Sequence, residues 1–480
     1  MNILITFLYI FLFYIFYSWY EKIKFIHKKE LKGPFPLPII GNAYLSDHPY
    51  YDFFKFSKKY GDIFRIWVGD LYTVVLSDES LIREVFHKNS DNFNDRPKFP
   101  TMKYLSNYHG LVTSSGEYWK INREIVSQSL TKIHSKHLYE SLEYNIEQVL
   151  NKFEGFEKRN ESFNPKLDCY KFTTSLMFKY IFNEEITNYD DPIIESEIIK
   201  PTNRVFEKLS NCRTGDALKI LRPFYEFQLK YFEQSGYKIF DYLNKKLEQH
   251  VETFDENGVP RDLLDILFKE YGNDKLSILS TAKDLLLGGI DTSATIFYNI
   301  IMLSCNYKEI QDKVYEELKS VSKEKKRIYL SDRNSLPYTN AFIKECLRYR
   351  PVAAFPLPHT AKNDITISNG RYFIPKDSQV LINFYALYRN EKYFPNPETF
   401  DPSRFINCEL ANQAFMPFSM GPRICVARQF ALDEIFLFIS NLLLNFKVSS
   451  NKTIDHSIND YKYGLTIKLK KEFNINLKKR

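Results

Sequence analysis

The chain has 480 residues, with 66 Lys and Arg against 59 Asp and Glu, a formal net charge of +7. A composition that is 44% hydrophobic and 26% charged excludes long disorder, and six Cys with no Cys-x-x-Cys pair exclude a disulfide scaffold and a zinc ribbon. The mild basic excess argues against nucleic acid as a partner and for a negatively charged membrane surface or an acidic protein.

Met1 to Tyr20 carry no charged side chain and are dominated by Ile, Leu, Phe and Tyr. Twenty helical residues at ~1.5 Å each span a ~30 Å hydrocarbon core. The segment lacks the basic start, short apolar core and small-residue cleavage site of a secretory leader. Trp19 and Tyr20 stand where an interfacial aromatic belt falls, and Lys22, Lys24, Lys28 and Lys29 follow. This predicts a single-pass anchor with the rest of the chain on the cytoplasmic side. Residues 21–38 form a basic, proline-rich hinge, in which Gly33-Pro34-Phe35-Pro36-Leu37-Pro38 reads as a stiff extended spacer. Residues 39–480 are expected to fold as one body.

Phe64, Ile66 and Val68 alternate before a Gly69-Asp70 turn, which predicts a hairpin ending at Leu76. Apolar residues three and four apart predict helices over most of 81–302 and over 310–320, 341–349 and 426–446. A second β patch is expected over 372–384. A last hairpin is expected to pair Leu465, Ile467 and Leu469 with Phe473, Ile475 and Leu477. The fold class is therefore mostly α with a minor β domain. Cys169, Cys212, Cys305, Cys346 and Cys408 read as small buried hydrophobes.

The sixth cysteine ends Phe418-Ser419-Met420-Gly421-Pro422-Arg423-Ile424-Cys425, just before an apolar helix. A thiolate there gains from the helix dipole and free backbone N–H groups. Gly421 and Pro422 supply a tight turn that lets backbone approach a flat ligand, and Arg423 supplies a positive charge for a carboxylate. A soft thiolate in a dry site suits iron, as in thiolate-ligated haem; the bland alternative is a buried Cys beside a loop Arg. Leu285-Leu286-Leu287-Gly288-Gly289-Ile290-Asp291-Thr292-Ser293 is odd as plain helix, because each mid-helix glycine costs ~1 kcal/mol relative to alanine. It reads either as a close helix crossing with Asp291 in water, or as a groove wetted by Asp291 and Thr292.

Phe418-x-x-Gly421-x-Arg423-x-Cys425 resembles the haem-binding loop of the cytochrome P-450 family, the haem-thiolate monooxygenases, here of the microsomal membrane-anchored type. One departure is Ala427, where the family usually carries Gly. Gly289-x-Asp291-Thr292 is similar to the family's oxygen-side signature, and Glu345-x-x-Arg348 with the later Arg404 to its buried charge network. The resemblance covers residues 33–480 and implies the P-450 fold, preceded by the transmembrane helix. It implies haem b, with Cys425 as axial ligand and Trp119, Arg123, Arg423 and His359 meeting the propionates. Thr292 and Asp291 would deliver protons, and Glu345, Arg348 and Arg404 would brace the haem loop. It further implies a lipophilic substrate walled by Phe99, Tyr104, Val112, Val352, Ala353, Phe355 and Leu465. The expected electron donors are an NADPH-dependent flavoprotein reductase docking near Lys120 and Arg428, and cytochrome b5. The expected location is the endoplasmic reticulum membrane, with the body facing the cytosol. Two rivals stay open: a reductase-independent hydroperoxide isomerase or dehydratase of the same fold, and a haem-binding carrier or sensor without oxygen chemistry.

Overall fold

The computed structural model describes residues 2–28, 31–42, 47–131, 136–186, 192–210, 214–322 and 327–480. Lys29 and Cys212, and the side chain of Lys28, lie outside the described residues. Helix Asn2–Lys28 runs eight residues past the apolar stretch, so the expected hinge begins as helix. Its apolar side chains stand outward, with Tyr9, Phe13 and Phe16 exposed. Tyr20 is exposed too, whereas the Trp19 indole N–H donates to the Pro36 carbonyl at 3.1 Å.

The proline-rich stretch is extended but is not a free spacer. It lies along strand Ile63–Val68, where Arg65 N–H donates to the Lys32 carbonyl and the Arg65 guanidinium donates to the Pro34 carbonyl. A Cβ on Gly33 would sit 2.0 Å from the Arg65 carbonyl oxygen, so only glycine permits this contact.

The expected hairpin forms, with Ile63–Val68 paired antiparallel to Leu71–Leu76. Gln379–Ile382 adds in parallel to the second strand and His359–Thr360 closes the four-stranded sheet. The 372–384 patch splits, because Tyr372–Ile374 pairs with Ile365–Ile367 instead and a short helix begins at Phe384. The last hairpin does not form. Lys468–Leu469 pairs with Tyr461–Lys462, and Asn476–Lys479 pairs with Phe446–Ser449. The alternation of apolar residues was real, but each half finds its ladder with an earlier strand.

The body is organised on helix Lys275–Asn306, whose residues are buried on nearly every side. It is long and apolar enough to cross a membrane, yet 83% of its most apolar stretch is inside the protein, which makes it a core helix. Helix Lys166–Phe182 packs along one side of it, and helices Pro337–Tyr349 and Arg428–Asn445 lie against its second half. The two mid-helix glycines have different uses. A Cβ on Gly289 would meet Met177 Sδ at 2.1 Å, so Gly289 lets the 166–182 helix come close, whereas Gly288 faces open space. Cys169, Cys305 and Cys346 are buried as expected and Cys408 is half-buried.

Candidate active site

An apolar chamber of about 350 Å³ lies between the 275–306 helix and the segment before helix Arg428–Asn445. Gly288 and Thr292, one turn apart, form part of one wall, and Phe418 and Cys425 part of the opposite one. The Thr292 hydroxyl is accessible from the chamber and donates to the Gly288 carbonyl at 2.6 Å. Cys425 is enclosed by the fold, and its accessible surface opens into the chamber. It sits three residues before the helix proper, its N–H held by the Phe418 carbonyl at 3.0 Å. Burial pushes the thiol up, the Ala427 N–H and the charges of Arg123 and Arg428 oppose this, and Glu434 adds to it.

The Phe418–Cys425 loop owes its shape to Gly421. With φ at +73°, a Cβ there would lie 1.9 Å from the Phe86 carbonyl oxygen. The glycine therefore permits a close approach of the loop to the helical turn Glu84–Lys88, a packing role beside the one expected from the sequence. Ala427 fits without distortion, with φ at −92°.

Three guanidiniums meet at one edge of the chamber. Arg423 donates to the carbonyls of Asn94, Leu111 and Ser114 and stacks on the Trp119 ring at 4.1 Å. Arg96, which the sequence reading missed, donates to the carbonyls of Val112, Leu357 and Pro358. The Arg123 guanidinium makes no hydrogen bond among the described residues, although the Arg123 carbonyl accepts from Ser127 Oγ at 2.6 Å. Burial, with repulsion from Arg96 and Arg123, pulls Arg423 down to about 8, and burial lowers Arg96 to about 10. Such a cluster invites a dianionic ligand, and a planar group with two carboxylates and an iron facing Cys425 fits it.

His359 does not line this chamber. Its ring is buried against Phe86 at 4.6 Å and bonded through Nδ1 to the Phe93 carbonyl at 2.6 Å, and burial beside Arg96 and Arg423 keeps it neutral. Asp291 does not line it either. Its carboxylate is buried on another face of the helix, accepting from Tyr170 Oη at 2.9 Å and Thr466 Oγ1 at 2.5 Å and paired with Lys468. Successive helical residues are ~100° apart, so Thr292 can face the chamber while its neighbour faces away.

The sequence reading also missed two acids on the chamber wall. Glu434 is buried, accepts from Ser293 Oγ, and is raised by burial to about 8. Asp284 accepts the Val112 N–H at 2.8 Å and is raised by burial to about 6. Neither carries a motif; only the fold places them. Of the expected wall residues, Val112, Val352, Ala353, Phe355 and Leu465 line the chamber. Phe99 lines a small neighbouring cavity and Tyr104 a separate one.

Behind the loop, Glu345, Arg348 and Arg404 meet as expected. Arg348 reaches both Glu345 oxygens at 2.7 Å and Arg404 Nε approaches at 3.2 Å. The two guanidiniums also donate to the carbonyls of Tyr388, Pro395, Pro397 and Thr399, fastening the segment that leads to the Cys425 loop.

The family model described as Cytochrome P450 matches residues 31–475. The chain belongs to the cytochrome P450 family. Curated relatives include "Probable cytochrome P450 508A2" of Dictyostelium discoideum, 43% identical over 98% of both chains. A second, "Probable cytochrome P450 508A4" of the same organism, is 44% identical over 97% of both. Among solved structures, a zebra fish cytochrome P450 with progesterone superposes with a TM-score of 0.79 at 25% identity, covering 90% of this chain and 99% of that one. This P450 is accordingly an oxidoreductase of the haem-thiolate monooxygenase class, with haem b as its cofactor.

Proposed function

We propose that this P450 inserts one atom of dioxygen into a lipophilic organic molecule and reduces the other to water. It would use two protons from solvent and two electrons from a separate NADPH-dependent flavoprotein reductase, with cytochrome b5 as a second electron donor. The observation that carries the reading is the chamber: an apolar space with a thiol on one wall, the Thr292 hydroxyl on the facing wall and three guanidiniums at one edge. Haem b, ligated by Cys425, supplies the oxidative chemistry when bound. Arg96, Arg123, Arg423 and Trp119 would hold its carboxylates, and Phe418 would give it an apolar neighbour. Thr292 Oγ1 passes a proton inward, a step for which it must leave the Gly288 carbonyl. We assign Asp291 to the outer end of this route, because its partner Lys468 is one-fifth exposed and would exchange protons with solvent there.

The substrate reaches the chamber from a membrane. The segment 217–219, which leads into helix Arg222–Phe232 with its exposed Phe224, Phe227, Tyr231 and Phe232, and the apolar helix Asn2–Lys28 are both bonded to one turn at Asp70. Asp70 accepts from Tyr14, Ser18 and the Lys219 N–H, while its own N–H donates to the Ala217 carbonyl. Both apolar surfaces thus face one bilayer, with residues 1–20 as anchor, 21–38 as connection and 39–480 as the catalytic body. Endoplasmic reticulum with the body in the cytosol fits the lysines that follow the anchor.

The test is the reduced, carbon-monoxide-bound difference spectrum beside a Cys425→Ala control. A strongly red-shifted Soret band, lost in the variant, is expected. Haem bound without that shift would overturn the thiolate assignment and leave a carrier.

A further inference from the structure

A second cavity, of about 660 Å³, lies on the outer side of the 275–306 helix, between helices Arg222–Phe232 and Ser235–Val251. It shares no lining residue with the chamber beside Cys425. Phe227, Tyr231 and Tyr237 are exposed residues of its lining, and Phe240 and Leu276 extend the apolar wall. Among these apolar groups lies Lys283, 2% exposed, with no hydrogen bond or ion pair among the described residues. Its ammonium stands 5.2 Å over the Phe240 ring.

A buried lysine without a counter-ion is unusual, because burial of a charge is tolerated where something pairs with it. Burial draws Lys283 down to about 8, and the adjacent Asp284, engaged with Val112 on the other side of the helix, only partly offsets this. The lining carries three lysines against one carboxylate, and that carboxylate, Glu226, is already paired with Lys103 at 2.9 Å. Lys230 stands exposed over Tyr231.

We propose that this cavity binds an amphipathic anion, its carboxylate or phosphate head paired with Lys283 and its alkyl tail laid on the aromatic wall. The volume falls in the range of ordinary small-molecule sites. A neutral lipophile would gain the wall but leave the ammonium unpaired, and a small inorganic anion would gain the charge and leave the wall wet. The site is independent of the proposed oxygen chemistry.

The experiment uses the full-length haem-loaded protein with its iron saturated by an imidazole-class ligand, which fills the first chamber. Calorimetric titration with dodecanoate should show about one equivalent bound with no change in the Soret band. Dodecan-1-ol should bind at least tenfold more weakly, a comparison that needs no variant. Lys283→Met should weaken dodecanoate at least tenfold, and Lys283→Arg should restore it to within about threefold, with the carbon-monoxide spectrum unchanged in both. Equal affinity for the acid and the alcohol, or wild-type affinity in Lys283→Met, would overturn the proposal. So would loss of binding when the iron ligand is present, which would place dodecanoate in the first chamber. Competition by phosphatidylserine vesicles but not by phosphatidylcholine vesicles would identify a bilayer lipid as the source of the anion; no competition by either would identify a free amphiphile.

Discussion

Glu345 carries more than its share of the site's rigidity. It is fully buried, takes both oxygens to Arg348 and one to Arg404, and also accepts the Asp401 N–H at 2.9 Å. Replacing it with Gln preserves the shape and leaves two buried guanidiniums without an anion. Breaking a buried pair from one side costs on the order of 3–5 kcal/mol. Glu345→Gln is expected to lower Tm sharply and to reduce haem recovered per chain, checked by calorimetry and haem quantitation. A loss below about 1 kcal/mol would show that the backbone carbonyls alone hold the arginines. At this scale the sequence was legible where a motif fixes a short spacing, as with Glu345 and Arg348 or Gly421 and Cys425. It was silent on Arg96, Asp284 and Glu434, whose neighbours in the chain are ordinary and whose neighbours in space come from distant elements. For Asp291 the motif gave the position but not the face: its carboxylate turns to Tyr170, Thr466 and Lys468 while Thr292 turns to the chamber.

At the scale of elements, hydrophobic periodicity located helices and strands but not partners. Leu465, Ile467 and Leu469 alternate as a strand should, yet the ladder of Lys468–Leu469 is with Tyr461–Lys462. Alternation reports a half-buried face, and which edge covers it is decided by topology. A second long-range clasp shows the same limit. His250, near the end of helix Ser235–Val251, bonds Asp265 at 2.9 Å beside Asp262, and Arg261 pairs with Asp265 at 2.8 Å. Burial alone would lower His250, but the hydrogen bonds and charges of Asp262 and Asp265 outweigh it and raise the pKa above 6.5. A raised folded-state pKa contributes stability that is complete below 6.5 and is lost as pH climbs through the folded value. His250→Gln should therefore lower Tm more at about pH 6 than at about pH 9. An equal deficit at both would mean that the imidazole is neutral in the fold.

For the whole molecule, the relevant question is how electrons and substrate find the two sides of one chamber. Arg428 is exposed near Cys425, and Lys120 is exposed on the helix that carries Trp119 and Arg123, though Lys120 is already bonded to Glu117 at 2.6 Å. Exposed pairs are weak and readily exchanged, so Lys120 stays open to an acidic partner. Reversing Lys120 and Arg428 to Glu should raise the reductase concentration needed for half-maximal NADPH consumption, with the carbon-monoxide spectrum intact. Unchanged dependence on reductase would place the docking face elsewhere.

Tyr14, Ser18 and Lys22 are spaced by four, so one stripe of the first helix meets Asp70 at three successive turns. A single contact would let the helix spin like an axle in its bearing. Three contacts in a row act as a key in a slot, fixing the azimuth of the helix as well as its tilt. Under the anchoring proposed above, the body and its helix would turn as one rotor about the bilayer normal. The proposed reductase, held in the same membrane, would then meet this P450 by gliding and rotating in a plane, with the azimuth and tilt of the body against its helix already set. Asp70→Ala would return those two degrees of freedom to the search.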